Sequence, residues 1–213
     1  MDLRITEIFH SLQGEARSVG RPTVFVRLTG CPQRCVWCDT EYAFHGGEKR
    51  GLEQILDEVA RYQAGFVTVT GGEPLAQPAV HPLLTRLCDA GYEVSLETGG
   101  AMDIGAVDSR VSIVMDLKAP GSGEMHNNRL DNIALLAEKD QVKFVLADRR
   151  DYDWARMQVD QYGLAGRVGE VLFSPVFGQL DPADLAGWIL ADRLPVRFQL
   201  QLHKLLWQDS RGK

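Results

Sequence analysis

Residues 30–42 read Gly-Cys-Pro-Gln-Arg-Cys-Val-Trp-Cys-Asp-Thr-Glu-Tyr, and they contain three of the four cysteines in this 213-residue chain. Cys31, Cys35 and Cys38 are separated by three and then by two residues. One loop with this spacing can bring three thiolates to three corners of a cuboidal iron–sulfur cluster and leave the fourth iron open to another ligand. A zinc site completed by Asp39 or His45 is the alternative, because structural zinc takes four ligands.

The composition narrows the class of protein. Asp and Glu number 29 against 23 Lys and Arg, a net charge of −6, and an acidic surface disfavours nucleic-acid binding. The first residues lack the pattern of a signal peptide, and no apolar run approaches the roughly 18 residues of a membrane span. We therefore expect a cytoplasmic protein that binds neither nucleic acid nor membrane, in which clustered thiols bind metal or do chemistry.

Apolar, β-branched runs alternate with amphipathic runs along the whole chain. The predicted strands are 22–28, 66–70, 92–97, 111–116, 142–147, 170–173 and 196–202. The predicted helices lie within 52–63, 81–91, 130–138, 152–162 and 182–192, and Cys88 falls in the apolar stripe of the second. This alternation predicts an α/β fold, a partial (β/α) barrel of about six mostly parallel strands, in one domain spanning residues 1–213.

Unusual residues follow the predicted strands, at the carboxyl ends where such folds bind ligands. After strand 66–70 comes Gly71-Gly72-Glu73-Pro74. Two glycines allow the backbone to approach a ligand closely, although a simple turn explains the same four residues. The tetrapeptide alone is a weak indication of function. It is a strong one in combination with the cysteine loop, in which Trp37 precedes the third cysteine.

Together these motifs resemble the radical S-adenosylmethionine (radical SAM) superfamily. The resemblance implies a [4Fe–4S] cluster on Cys31, Cys35 and Cys38. It also implies that S-adenosyl-L-methionine (SAM) chelates the free iron and yields a 5′-deoxyadenosyl radical.

A narrower resemblance covers nearly the whole chain. It rests on 7–15 (EIFHSLQGE), 25–28 (FVRL), 38–40 (CDT) and 201–204 (QLHK). These strings are similar to the 7-carboxy-7-deazaguanine synthase (QueE) family of lyases. The resemblance implies conversion of 6-carboxy-5,6,7,8-tetrahydropterin to 7-carboxy-7-deazaguanine with release of ammonia, in queuosine and 7-deazapurine biosynthesis. It further implies a Mg²⁺ ion near the substrate carboxylate, a flavodoxin- or ferredoxin-type reductant and a homodimer.

The resemblance assigns roles residue by residue, with no classical acid or base among them. Substrate contacts would come from Leu12, Gln13, Gly14, Glu15, Arg27, Thr70 and His203. Cofactor contacts would come from Trp37, Cys38, Asp39, Gly71, Gly72, Glu73, Thr98, Asp116, Leu117, Lys118, Ser174, Pro175, Val176 and Phe177. Thr40 would bind Mg²⁺, a cation that keeps much of its hydration.

Two of these assignments have a chemical rationale. The planar guanidinium of Arg27 suits bidentate pairing with the substrate carboxylate, whereas an ordinary salt bridge is the alternative for a strand arginine. Glu15 would accept from the amino and ring N–H groups of the pterin, which would reject analogues that lack those donors.

The chain departs from the family pattern at two places. Gly99 stands where the family often has Ser or Asn, so a cofactor contact there would come from the backbone only. The tail, 203–213, continues beyond the point where shorter relatives end with a carboxylate that reaches the substrate. By count Asp209 occupies that point, and the hypothesis is that its side chain supplies the missing carboxylate.

The implied reaction needs no strong nucleophile. The adenosyl radical would remove hydrogen from C6 of the pterin, after which the ring would contract, lose ammonia and become aromatic by loss of a proton. Two other readings stay open: a radical SAM activase that acts on a partner protein, and a zinc-stabilised binding module without catalysis.

Overall fold

Nine strands form one sheet in this computed structural model, which describes residues 1–208 and 210–213. The strands are Asp2–Leu12 (β1), Pro22–Leu28 (β2), Glu48–Gly51 (β3), Phe66–Gly71 (β4), Glu93–Thr98 (β5), Ser112–Asp116 (β6), Gln141–Leu146 (β7), Glu170–Pro175 (β8) and Arg197–Phe198 (β9). Their order is β3-β1-β2-β4-β5-β6-β7-β8-β9. Every pair from β2 to β9 is parallel, whereas β1 is antiparallel to β2 and to β3.

Helices connect most of the parallel strands. They are Leu52–Arg61 (α1), Val80–Asp89 (α2), Arg149–Gln161 (α3), Leu164–Arg167 (α4), Pro182–Asp192 (α5) and Leu202–Trp207 (α6). None of the helices within the described ranges has the length and apolarity to cross a membrane. The fold is the expected α/β architecture, an open sheet of mostly parallel strands with the form of a partial barrel.

The two faces of the parallel strands have different chemistry because side chains alternate along a strand. On β4, Val67 and Val69 join the large apolar core together with the buried leucines of α2. The alternate residues, Thr68 and Thr70, are also buried but bond to Ser95 and Glu97 of β5. The inner face of the sheet is therefore polar while the outer face packs against the helices.

The prediction of a strand over 196–202 was wrong, because only Arg197–Phe198 pairs with β8 as a strand. Beyond it the chain turns toward the loop after β1. The side chain of Gln199 bonds to the backbone of Ala16, and the N–H of Leu202 donates to the carbonyl of Gly14. These bonds replace a strand ladder, so the QLHK segment enters α6 instead of ending a strand.

The predicted helix over 130–138 is a 3-10 helix at Leu130–Leu135. The buried Asn132 side chain donates to the carbonyls of Gly100 and Met102, which fixes this tight segment against the end of β5. The antiparallel strands β1 and β3 were not predicted. Buried Leu3 and Ile5 alternate with exposed residues at the start of β1, which is the pattern that could have indicated it.

Candidate active site

A cavity of about 410 Å³ lies at the carboxyl ends of the parallel strands. It brings together most of the predicted site residues, namely Gln13, Glu15, Arg27, Cys31, Cys35, Trp37, Cys38, Asp39, Thr40, Thr70, Gly71, Gly72, Thr98, Asp116, Lys118, Val176, Phe177 and His203. Six others do not line it: Leu12, Gly14, Glu73, Leu117, Ser174 and Pro175. Asp209 lies outside the described residues, so its predicted role remains a hypothesis.

The cysteine loop is bonded directly to the glycine-rich end of β4. The N–H of Gly72 donates to the carbonyl of Leu28, and the N–H of Glu73 donates to that of Gly30, at 3.1 and 2.8 Å. A Cβ on Gly72 would lie 2.3 Å from the Gly30 oxygen and 2.8 Å from the Cβ of Cys31. Glycine is therefore required at position 72 for this close approach.

The three loop thiols share the wall of the cavity without converging on one point. Burial raises the pKa of Cys31 and raises that of Cys35 to about 11, although the Lys118 ammonium opposes both shifts. No group of three or more His, Cys, Asp or Glu side chains in the described part of the chain could hold a single metal ion. A cuboidal cluster does not need such a group, because each cysteine binds a different iron.

Glu73 holds two strand ends together from a fully buried position. Its carboxylate accepts from the N–H of Leu75, the hydroxyl of Thr98 and the N–H of Gly99, at 2.8–3.0 Å. Burial raises the pKa of the Glu73 carboxyl, opposed by these three donors. Glu73 thus fixes the ends of β4 and β5 behind the cavity wall instead of facing the cavity.

Lys143, in the middle of β7, forms the charged floor of the cavity. Its ammonium lies 2.6 Å from Glu15 and 3.6 Å from Asp116, and Asp116 lies 3.1 Å from the ammonium of Lys118. Although burial disfavours the charge, Glu15, Asp116 and Glu97 raise the pKa of Lys143 well above its usual range. The floor therefore carries fixed, opposite charges in close contact.

Arg27 forms a salt bridge with Glu7, as expected for an ordinary strand arginine, but its side chain also lines the cavity. Its Nε donates to Glu7 at 2.8 Å, and the hydroxyl of Tyr42 donates to the same oxygen. The guanidinium also lies 5.8 Å from the ring centres of Phe9 and Tyr42. Glu7 holds the guanidinium by one edge, which orients Arg27 without using its two terminal nitrogens.

The loop after β1 and the start of α6 close the other side. The Gln13 amide donates to Thr68 and Glu97, and its backbone bonds to Arg21 and Gly20. The resemblance implies that Gln13 contacts the substrate through its backbone, and such a contact would have to share backbone groups that already bond to Arg21 and Gly20.

The tail reaches the cavity through Gln201, His203 and Lys204. Gln201 donates to Glu15 at 2.7 Å, and the imidazole Nε2 of His203 lies 3.8 Å from the carboxylate of Asp39. Despite desolvation, His203 and the charges of Lys143 and Lys204 lower the pKa of Asp39 well below its usual range. A Cβ on Gly14 would lie 2.3 Å from the His203 ring, so glycine there leaves room for the imidazole.

Buried polar atoms with no hydrogen-bond partner among the described residues mark where a polar ligand fits. They include the Nε2 of Gln33 and the Oδ1 of Asp116, both from residues that line the cavity, and the hydroxyl of nearby Ser174. Such atoms are costly to leave unpaired. With three loop thiols on the same wall, the donor set suits an iron–sulfur cluster and a ligand rich in hydroxyl, amino and carboxylate groups.

Several lining residues were missed as site residues from the sequence, among them Gln33, Glu97, Lys143 and Gln201. Lys143 carried a signal, because it stood as a charged residue at the second position of the otherwise apolar predicted strand 142–147. In parallel β6 and β7, Asp116 and Lys143 are paired residues. The alternation of side chains therefore could have placed both on the inner face.

Comparison with known proteins supports the fold and the motifs. A model of the Radical SAM superfamily matches residues 25–118. The 7-carboxy-7-deazaguanine synthase of Chlorobaculum tepidum is 46% identical to this chain, with 99% of this chain and 97% of the relative covered. That of Koribacter versatilis is 43% identical over 96% and 97%. The crystal structure of QueE from Escherichia coli covers 95% of both chains with a TM-score of 0.74 at 23% identity, which shows a shared fold.

Proposed function

The chain belongs to the 7-carboxy-7-deazaguanine synthase family of radical SAM enzymes, and we propose how its residues bind the substrate and the cofactors of that reaction. The enzyme converts 6-carboxy-5,6,7,8-tetrahydropterin to 7-carboxy-7-deazaguanine and ammonia. The observation that carries the assignment of the cavity is the junction of the cysteine loop with the glycine-rich end of β4 at one polar cavity.

Cys31, Cys35 and Cys38 would hold the [4Fe–4S] cluster, and SAM would lie between this loop and the ends of β4, β5 and β6. The bound cluster and SAM supply the one-electron chemistry that removes a hydrogen atom from the substrate. Trp37, Gly72, Thr98, Asp116, Lys118, Val176 and Phe177 line this part of the cavity and are the proposed cofactor contacts. One buried oxygen of Asp116 accepts no hydrogen bond from residues 1–208 or 210–213, which suits a ligand hydroxyl.

The substrate carboxylate would bind Arg27. The Glu7 carboxylate, which also accepts from the Tyr42 hydroxyl, fixes the guanidinium, and this reduces the conformational entropy lost when the substrate binds. Thr40 lies in the same wall and would bind Mg²⁺ beside the substrate carboxylate, with water in other positions. By holding the carboxylate, this end of the site would orient the reacting carbon of the substrate.

The pterin ring would face Glu15. One oxygen of Glu15 accepts from Lys143 and the other from Gln201, and a carboxylate keeps further lone pairs for ring N–H and amino donors. Gln13, Thr70 and His203 border the same space and are proposed substrate contacts. The Lys143 ammonium and the Gln201 amide would hold the Glu15 carboxylate in place before the substrate arrives.

An external reductant must supply electrons to the cluster, and we propose a flavodoxin- or ferredoxin-type protein. Val36, between two of the loop cysteines, is 73% exposed, which brings the cluster loop to the surface. A cytoplasmic location suits four free cysteines and a reducible cluster.

We also propose that the protein is a homodimer. The apolar side chains of Leu205 and Leu206 in α6 support this proposal, because they are 57% and 50% exposed. Light scattering of the purified protein tests it.

Anaerobic incubation with reconstituted cluster, SAM, Mg²⁺, a reductant and the carboxylated tetrahydropterin tests the proposed function. We expect 7-carboxy-7-deazaguanine to form from the pterin. Because substrate and product differ only by ammonia, the hydrogen atom taken from C6 must be returned within each turnover, so 5′-deoxyadenosine need not accumulate in equal amount. Production of 5′-deoxyadenosine without any deazapurine would favour an activase that acts on a partner protein. A single zinc per chain in place of iron and sulfide would favour the binding module.

A further inference from the structure

Gln33, in the middle of the cysteine loop, has a buried side-chain nitrogen without a partner in the part of the chain that the structure describes. The residue is 3% exposed and lines the cavity, and its Nε2 has no hydrogen-bond partner among the described residues. Its backbone is used, because the N–H bonds to the Cys31 thiol and the carbonyl accepts from Arg34. A buried amide that could donate two hydrogen bonds and makes neither is costly unless a ligand accepts from it.

The space that this amide occupies depends on Gly99, at the end of β5. A Cβ on Gly99 would lie 2.1 Å from the Oε1 of Gln33, closer than any side chain could stand. The N–H of Gly99 donates to the buried carboxylate of Glu73, so the backbone at this position is fixed and cannot move aside. The orientation of Gln33 and the absence of a side chain at position 99 are therefore coupled.

We propose that Gln33 is a SAM-binding residue and that Gly99 makes room for it. The Nε2 of Gln33 donates to an oxygen of SAM, in its methionyl carboxylate or its ribose. The position agrees with this role, because Gln33 stands between two cluster cysteines on one side and the Glu73–Gly99 contact on the other. This inference rests on the proposed use of the cavity by the cluster and SAM.

The test measures SAM affinity by calorimetry on anaerobic, cluster-reconstituted protein in the oxidised state, without turnover. Gln33→Ala removes the donor and is expected to weaken SAM binding about tenfold, the effect of one hydrogen bond. Gly99→Ser leaves the cysteine loop unchanged in sequence but displaces the amide, and it is expected to weaken binding at least as much. Val36→Ala, an exposed position in the same loop, is the matched control and should bind as the unaltered chain does.

The double variant Gln33→Ala/Gly99→Ser shows whether the two substitutions affect SAM binding through the same contact or each damage the site independently. Once the amide is gone the serine hydroxyl has space and can donate in its place, so the double variant should bind SAM within about threefold of the unaltered chain. Iron and sulfide content, measured on every variant, shows whether the cluster is retained. Competition by 5′-methylthioadenosine, which lacks the methionyl carboxylate, locates the acceptor: a loss with Gln33→Ala indicates the ribose, and no loss indicates the carboxylate.

Unchanged SAM affinity in Gln33→Ala with a full cluster would overturn the proposal, since it would mean that water satisfies the amide. Independent, additive losses in the double variant would overturn it as well. If the unaltered chain with a full cluster failed to bind SAM, the proposed function would fail instead, so the two failures are distinguishable.

Discussion

Lys143 lies in the interior strand β7 with the carboxylates of Glu15 and Asp116 near its ammonium group. Its side chain is 14% exposed, so most of the charge is withdrawn from water. Removing one partner of a buried ion pair leaves the other charge without compensation, and this is more damaging than the loss of a surface pair.

We predict that Lys143→Met lowers the free energy of unfolding by about 3–5 kcal/mol, because the paired carboxylates lose their cation. Urea unfolding with circular dichroism measures it. The double variant Lys143→Met/Glu15→Gln should recover part of the loss, since one of the two carboxylates is then neutral. A double variant less stable than Lys143→Met would contradict the charge explanation and indicate a packing defect.

The ion pairs of Lys143 also predict how the stability of the protein depends on pH. A lysine whose pKa is raised by folding contributes its full stability below the unfolded pKa of about 10.4 and loses that contribution only as the pH rises toward the folded value. The stability difference between Lys143→Met and the unaltered chain should therefore stay constant from about pH 6 to 9. A difference that shrinks within that window would show that Lys143 is not held in its charged form.

For Arg27, we predict that Arg27→Lys raises the KM for the pterin about tenfold or more, with a smaller effect on kcat. A lysine cannot pair bidentately with a carboxylate or use Glu7 as an orienting partner in the same way. Steady-state kinetics measures both constants. Arg21→Lys, whose exposed salt bridge to Glu93 lies on the surface, is the control and should leave both constants unchanged. An unchanged KM in Arg27→Lys would mean that the arginine serves only its salt bridge to Glu7.

Among the elements, the loop after β2 contains the three cysteines that are proposed to bind separate corners of the cluster. Replacing Cys31, Cys35 or Cys38 by Ser is expected to reduce iron and sulfide from about four of each per chain to near zero after anaerobic reconstitution. Cys88→Ser, in α2, is the matched control and should keep the full content. Full loss of iron in the Cys88 variant would require a different ligand set.

At the junction of β4 with that loop, we predict that Gly72→Ala destabilises the fold by about 1–3 kcal/mol through overpacking. The added methyl group would overlap the Gly30 carbonyl and the Cβ of Cys31, so iron content should fall too. Gly187→Ala is the control: Gly187 is an exposed residue of α5 with open space around it, and alanine there should be neutral or slightly stabilising. Thermal unfolding compares the two, and equal midpoints would contradict the close approach.

For the whole molecule, the parallel part of the sheet could be predicted because its strands are apolar, β-branched and separated by amphipathic helices. The β1 and β3 strands were missed because polar residues such as Arg4 and Lys49 stand in paired positions between them. The end of the last strand was misplaced because its hydrogen bonds go to residues 14 and 16, nearly two hundred positions away in sequence.

The site was predictable wherever a motif followed a strand, as at Cys31 and Gly72. It was not predictable where function depends on which side chains share the inner face of the sheet. Lys143 belongs to no motif, and Gln33 occupies a position between Cys31 and Cys35 that the cysteine spacing leaves unspecified. The importance of both follows from contacts with Glu15 and Gly99 that only the fold creates.

We propose that this cavity holds the pterin so that its C6 hydrogen is the one removed by the radical that SAM supplies. Anaerobic turnover with substrate deuterated at C6, followed by mass spectrometry of both products, tests it most directly. If C6 is the site of hydrogen abstraction, deuterium will enter the 5′ position of the adenosyl group and be recovered in 5′-deoxyadenosine or in SAM, while 7-carboxy-7-deazaguanine forms. Unlabelled 5′-deoxyadenosine and no deazapurine, from protein with a complete cluster, would contradict it.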